Sequence, residues 1–385
     1  MNPINGTVRV NRHWPAILMT VALLAAASCE SRDDAGSLVP VWTHDTGGPV
    51  GAPPIAVGDV VVVAPDGEPI VALDMDTGAV RWTFDSPDRI WHRTLATDGD
   101  RLFFGLDGGR LAAIDVTSGA PIWEQALGID TQHAPYVGEG ILYVPTAFVG
   151  PGLEPNPDGN AKVFALDAAD GEIIWEAETG NYILQTPSQS NGVVFVAGVF
   201  SDPVPIEEGG HTRILALSPD DGSMLWAYES EDGFAKGLYA TDEVLSFIGY
   251  QDFANGIDTS SGELLWRRHT DNWVPDLAGS GDAVYFGSAN TVVHAVSMPD
   301  GEAIWEYDIP EGTFNYVLGA PVPADGVLYF VTQQGDVMAL DAENGSQLWH
   351  QPTDIAARTG PTVHGELLLV GDAEGTVHAF RLPGT

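Results

Sequence analysis

The sequence predicts an all-β fold, an eight-bladed β-propeller with four-stranded blades, and three observations predict it. First, seven segments share one frame: a small residue, Asp or Ser two positions on, Gly four further and Trp four beyond that. They end in Trp82, Trp123, Trp175, Trp226, Trp266, Trp305 and Trp349. Second, counted from Trp42, these tryptophans are separated by 40, 41, 52, 51, 40, 39 and 44 residues. A period near 40 with Gly-containing turns is what a four-stranded propeller blade requires. Third, an eighth copy is split. Val377-His378-Ala379-Phe380 supplies its first half near the carboxyl end, and Trp42 supplies its outer strand near the amino end. Pairing the two closes the ring and leaves no unpaired seam.

Taken in order, residues 1–28 carry Arg9 and Arg12, no acid, and an apolar run from Ala16 to Ala27. Basic, then apolar, then small is the order of an export signal, and the run is too short to span a bilayer. The one cysteine of the chain, Cys29, follows Leu24-Ala25-Ala26-Ala27-Ser28 directly. That arrangement resembles a bacterial lipoprotein signal, in which the cysteine is lipidated and becomes the first mature residue. Residues 29–37 are polar and small and read as a tether. The propeller is expected over 38–381.

The first complete unit sets the pattern for the rest. Ile55-Ala56-Val57 leads through Gly58-Asp59 to Val60–Val63, Asp66-Gly67 precedes Ile70–Asp74, and Asp76-Thr77-Gly78 turns the chain into the strand that carries Trp82. Asp and Gly suit these corners because tight hairpins demand left-handed backbone. The repeated tryptophans are expected to wedge between neighbouring blades, with the small residue and the Gly of the frame making room for the ring.

Composition narrows the function. There are 54 acids against 15 Lys and Arg, a formal net charge of -39. Such a surface repels polyanions, so nucleic acid is not an expected partner. A single cysteine permits no intrachain disulfide and no cysteine metal cluster. No metalloprotease, nucleophile-elbow, phosphate-loop or dinucleotide motif occurs. No metal site and no cofactor is expected.

The frame, its repeated Trp and the eight copies resemble the pyrroloquinoline-quinone-type propeller repeat over almost all of 38–381. Two branches of that family bear on function. The quinoprotein alcohol dehydrogenases are similar in their repeats, and that resemblance implies a quinone, a calcium ion and a vicinal disulfide, for which no second cysteine exists. The outer membrane assembly factor BamB branch is more similar: a lipoprotein-type leader, similar length, a split closing blade and no added domain. This resemblance implies a non-enzymatic scaffold, lipid-anchored in the cell envelope at the periplasmic face of the outer membrane. Its implied partners are the outer-membrane β-barrel assembly machinery or its client proteins. The alternative is an envelope small-molecule-binding or quinoprotein-like enzyme that uses the funnel.

Two groups of residues are candidates for recognition. Positions six before the first turn of each blade form a column that contains Arg93, His133, Gln185 and Lys236, expected to face one level of the central funnel. Trp91, His92, Trp273 and Arg358 lie beside this column in sequence, and a ligand there would be anionic. The second group sits in the additions that lengthen blades 3 and 4, residues 150–160 and 201–210, where Leu153, Val204 and Ile206 could anchor a partner.

Overall fold

The structure, a computed structural model, describes residues 7–10, 37–131, 133–147, 161–180, 183–200, 211–230, 235–249, 252–310 and 315–383. Eight antiparallel sheets follow one another around a ring as the expected propeller. Blade 1 is Ile55–Val57, Val60–Val63, Ile70–Asp74 and Val80–Asp85. Blades 2 to 7 repeat this meander and end in the outer strands Pro121–Ala126, Ile173–Glu178, Met224–Ser230, Leu264–His269, Ala303–Asp308 and Gln347–Gln351. Blade 8 takes Thr362–His364, Leu367–Gly371 and Thr376–Arg381 from the carboxyl end and Val39–Asp45 from the amino end. Val39 faces Arg381 and Asp45 faces Thr376 across this closure. Thr7–Val10 adds a fifth strand to the outer edge of blade 1, with Thr7 opposite Asp85.

Burial follows from the stacking. The middle strands, such as Val60–Val63 and Ile70–Asp74, are apolar at consecutive positions because both faces meet a neighbouring sheet. Outer strands bury chiefly the Trp face, and innermost strands are half-buried along the channel. The apolar side chains divide into eight clusters, each shared by two adjacent blades, so every interface around the ring carries its own core.

The frame has a mechanical reading. Each Trp pairs across its own hairpin with the small residue, as Ala72 with Trp82 and Gly256 with Trp266. The ring then lies on the Gly of the next blade's turn. A Cβ on Gly119 would stand 2.7 Å from Trp82, and one on Gly345 would stand 2.6 Å from Trp305. The indole N–H donates to a carbonyl in that same turn, Trp82 to Val116 at 3.1 Å and Trp123 to Ala168 at 3.1 Å. Trp42, Trp175, Trp226, Trp266 and Trp305 make the equivalent bond to Met75, Pro219, Thr259, Met298 and Ala342. Trp349 packs instead with Leu38, Leu368 and Phe380, at the place where the split blade has no such turn. The Asp of the frame shapes the corner: Asp74 accepts from the Thr77 N–H at 3.0 Å, and Asp258 accepts from those of Ser260 and Ser261.

One element was not anticipated. In every blade the register slips by one residue next to the Trp, as at Pro121/Trp123 and Pro40/Trp42. The extra residue is a β-bulge, which bends the outer strand as it crosses the Trp.

Candidate binding site at the funnel mouth

The connectors between blades shape the mouth of the channel. Among the described residues, these connectors leave an outer strand, run briefly beside the next blade's second strand, and then enter the innermost strand. In blade 2 this is the bridge Ile90–Leu106, in blade 7 Val317–Thr332, and in blade 8 Ala357–Asp372. Backbone bonds pin the same segments, including Trp91 N–H to Gly105 O at 3.0 Å and Gln333 N–H to Tyr316 O at 2.9 Å. The residue after each bridging position, Trp91, Leu318 or Arg358, lines one cavity of about 600 Å³. Ile90 packs into the core between blades 1 and 2, so alternation along the connector turns Arg89 and Trp91 to the cavity. The chain then tightens into a 3-10 turn over His92–Thr94 that carries Arg93. Thr94 holds this turn, its hydroxyl donating to Trp91 O at 2.6 Å and accepting the Gly105 N–H at 2.7 Å.

Of the residues selected from sequence, Trp91, Arg93, His133 and Arg358 come together here. Gln185, Lys236 and Trp273 are not among the lining residues, and His92 contributes its backbone to the 3-10 turn. Lys236 lies inside the strand Ala235–Ala240, beside a register shift at Gly237, whose φ is +54°. Its ammonium sits 4.4 Å from the centre of the Trp273 ring. Trp273 in turn meets Tyr316 of the cavity wall edge to face at 6.0 Å. The pair is therefore a flank of the mouth, one aromatic ring removed from the cavity. Sequence reasoning missed Arg89, Asp66, Tyr316 and Gln333. Arg89 had a signal, the alternation Arg89-x-Trp91-x-Arg93. Cys29, Leu153, Val204 and Ile206 lie outside the described residues.

The electrostatics of the cavity oppose those of the chain. Arg89, Arg93 and Arg358 face a single lining carboxylate, Asp66. Arg89 stacks on Trp91, its guanidinium 4.5 Å from the ring centre. Burial, and then the charge of Arg93, push His133 down to about 4, so the imidazole is neutral near pH 7. On the flank, burial lowers Lys236 from its ordinary value and raises Asp276 to about 6, and each partly offsets the other. The Trp91 indole N–H is shielded from solvent and has no hydrogen-bond partner among the described residues.

An arrangement of catalytic type occurs elsewhere, in blade 6. Ser288 Oγ is 3.1 Å from His294 Nε2, and His294 Nδ1 is 3.4 Å from Glu306. Ser288 is wholly buried, and its hydroxyl donates to the Val292 carbonyl at 3.1 Å. Ser288 and His294 are buried within the blade stack, whereas Glu306 is exposed and also pairs with Arg268, so the serine hydroxyl has no access to a substrate. Among the described residues, no cluster of three or more His, Cys, Asp or Glu could hold a metal ion.

Comparison with known proteins bears on the whole ring. The family described as outer membrane protein assembly factor BamB matches residues 34–133, 69–180, 128–245 and 251–384. The chain belongs to the BamB family. BamB of Yersinia pestis is 22% identical, with 94% of this chain and 97% of that protein covered. A 1-butanol dehydrogenase (cytochrome c) of Thauera butanivorans is 23% identical over 85% of this chain, but only 56% of the dehydrogenase is covered. The crystal structure of BamB from Moraxella catarrhalis superposes with a TM-score of 0.68 at 20% identity, covering 90% of this chain and all of that one. At that identity the superposition speaks to the fold. Like its BamB relatives, this chain is a propeller built from the family's repeats, and the family is that of outer membrane assembly factors.

Proposed function

We propose that the chain is a non-enzymatic scaffold of the cell envelope that assists assembly or insertion of outer-membrane β-barrel proteins. One observation carries this reading: the BamB match runs through every blade, and the Yersinia pestis relative is spanned almost end to end. In this role residues 1–28 are removed on export, the added strand Thr7–Val10 with them, Cys29 carries the lipid, 29–37 form the tether, and the four-stranded propeller stands on the periplasmic face. The partners are the barrel-assembly machinery or its clients, held by protein contacts on a rigid ring. The additions holding Leu153, Val204 and Ile206 both connect second to third strands, in adjacent blades, and are the first candidates for that contact. Affinity capture of the tagged protein from solubilised outer membranes tests the proposal. The barrel-inserting protein should co-purify, and its absence from the eluate of a folded bait would overturn the reading.

The dehydrogenase matches motivate a second reading, a quinoprotein-like enzyme at the funnel. The residues at the mouth do not fit that site. A calcium ion asks for several oxygen ligands, and the cavity offers one carboxylate among three guanidiniums. The vicinal disulfide of that branch needs two cysteines where the chain has one. An absorbance scan for bound quinone with a dye-linked alcohol assay distinguishes the two readings.

A further inference from the structure

The cations of this chain are few, and six of the 15 are committed to ion pairs. Arg81, Arg101, Arg110, Lys162, Arg213 and Arg268 each hold a carboxylate within 2.9 Å. Arg93 and Arg358 make no ion pair among the described residues, although the chain has 54 acids to offer. They come from connectors that are adjacent to blades 2 and 8, distant in sequence, and line the same cavity. Guanidinium groups are planar donors whose fork matches a carboxylate, and they keep their charge at any physiological pH. The same cavity wall carries Trp91, whose N–H has no hydrogen-bond partner among the described residues, and Tyr316. A volume near 600 Å³ is that of a small-molecule pocket or of one inserted peptide segment.

We propose that the funnel mouth is a carboxylate-binding site in which Arg93 and Arg358 grip the anion and the aromatic wall of Trp91 and Tyr316 packs against its carbon skeleton. Phosphate offers no flat face or skeleton to that wall, so organic carboxylates are the favoured class. The carboxylate comes either from a free organic acid or from an acidic side chain of a partner segment. The site does not depend on the scaffolding role.

Titration calorimetry on the full-length folded protein tests it, with citrate, an acetylated tetraglutamate peptide and inorganic phosphate as separate probes. A carboxylate probe should bind with one-to-one stoichiometry. Citrate alone points to a free acid, and the peptide, with or without citrate, to a partner segment. Arg93→Gln and Arg358→Gln should each weaken binding by ~10- to 100-fold, the loss of one charge-assisted bond. Arg93→Lys should retain part of it, and Lys162→Gln, on an outer strand, should change nothing. Melting temperatures of the Arg variants near pH 7 should match the parent, since neither side chain makes an ion pair among the described residues. Absence of binding into the millimolar range, equal affinity in the Gln variants, or phosphate binding as tightly as the carboxylates would each overturn the proposal.

Discussion

If the repeated Trp seats on a glycine surface, two glycines of the same conformation should differ sharply in their tolerance of a methyl group. Gly58 has φ +55° with nothing within 4 Å of an added Cβ, whereas Gly119 has φ +69° and its Cβ would reach within 2.7 Å of the Trp82 ring. Replacing either by Ala costs the left-handed backbone penalty, about 1 to 2 kcal/mol, reduced by about 0.4 to 1 kcal/mol through the unfolded chain. Gly58→Ala should therefore lower stability by about 1 kcal/mol. Gly119→Ala adds overpacking of about 1 to 3 kcal/mol, and a displaced indole gives up its bond to Val116 O, about 1 kcal/mol more. The expected total is about 3 to 5 kcal/mol. Melting temperature followed by near-ultraviolet circular dichroism reads both, with a shift of at most about 2 °C per kcal/mol at this chain length. The decisive measurement is a cycle with Trp82→Ala. Without the indole the Gly119→Ala penalty should fall to that of Gly58→Ala. Equal shifts for the two glycine variants in the parent, or full additivity with Trp82→Ala, would refute the wedge.

Two partly buried groups should give opposite pH slopes. His133, pushed down to about 4, is charged in the unfolded chain but neutral in the fold between that value and 6.5, so stability falls as pH drops through this window. Asp276, raised to about 6, is charged in the unfolded chain but protonated in the fold from 3.8 upward, so stability is lost as pH rises towards 6. Each effect is worth at most about 3 kcal/mol, and the two nearly cancel. Asp276→Asn, which faces Lys236, should stabilise at pH 7 and not at pH 4, whereas His133→Asn, beside Arg93, should flatten the loss on acidification. Melting temperatures between pH 4 and 7.5 read both, and parallel offsets for the two variants would remove the assignment. At the amino end, Cys29→Ser should release the protein from membranes on flotation, and a variant still floating with lipid would end the anchor reading.

The fold was legible because the frame is a set of steric requirements. A ring lying against a turn demands a residue without a side chain, and a sharp corner demands Asp, Ser or Gly, so the same letters recur in the sequence. The turn positions show how far this goes. Glu139, Asn191 and Asp325 adopt positive φ where four blades use Gly58, Gly99, Gly281 and Gly365, so in these blades the conformation persists when the letter changes. The bulge beside each Trp left a fainter letter. The residue it inserts is Val41, Arg81, Ile122, Ile174, Leu225, Leu265, Ile304 or Leu348, aliphatic in every blade but the first. From Ile122 to Leu348 these side chains are exposed, so an apolar residue before each Trp reads as ordinary strand composition and does not announce the slipped register.

The cavity was legible in part for the same reason. Counting back from a turn assumes connectors of one shape, which holds well enough to bring Arg93 and His133 together. It fails at Lys236, where the bulge at Gly237 moves the ammonium onto Trp273. It also passes over Arg89 and Tyr316, whose direction is set by single bridges between a connector and the next blade.

Charge at the mouth and charge of the whole chain act over different distances. The acids spread over the outer strands and turns, where many are exposed and where the paired cations neutralise only a few. Exposed charges farther away than about 10 Å are largely screened at 0.1 M salt, so the acidic shell contributes little inside the funnel. What an anion meets there is the local set: three guanidiniums, one carboxylate and a neutral imidazole. Net charge therefore sets how the molecule repels polyanions at a distance, and the mouth can still attract a small carboxylate once it arrives. For a scaffold this division has a use. A highly acidic ring discourages nonspecific association with other acidic surfaces, while one cationic opening remains where an acidic group can be recognised.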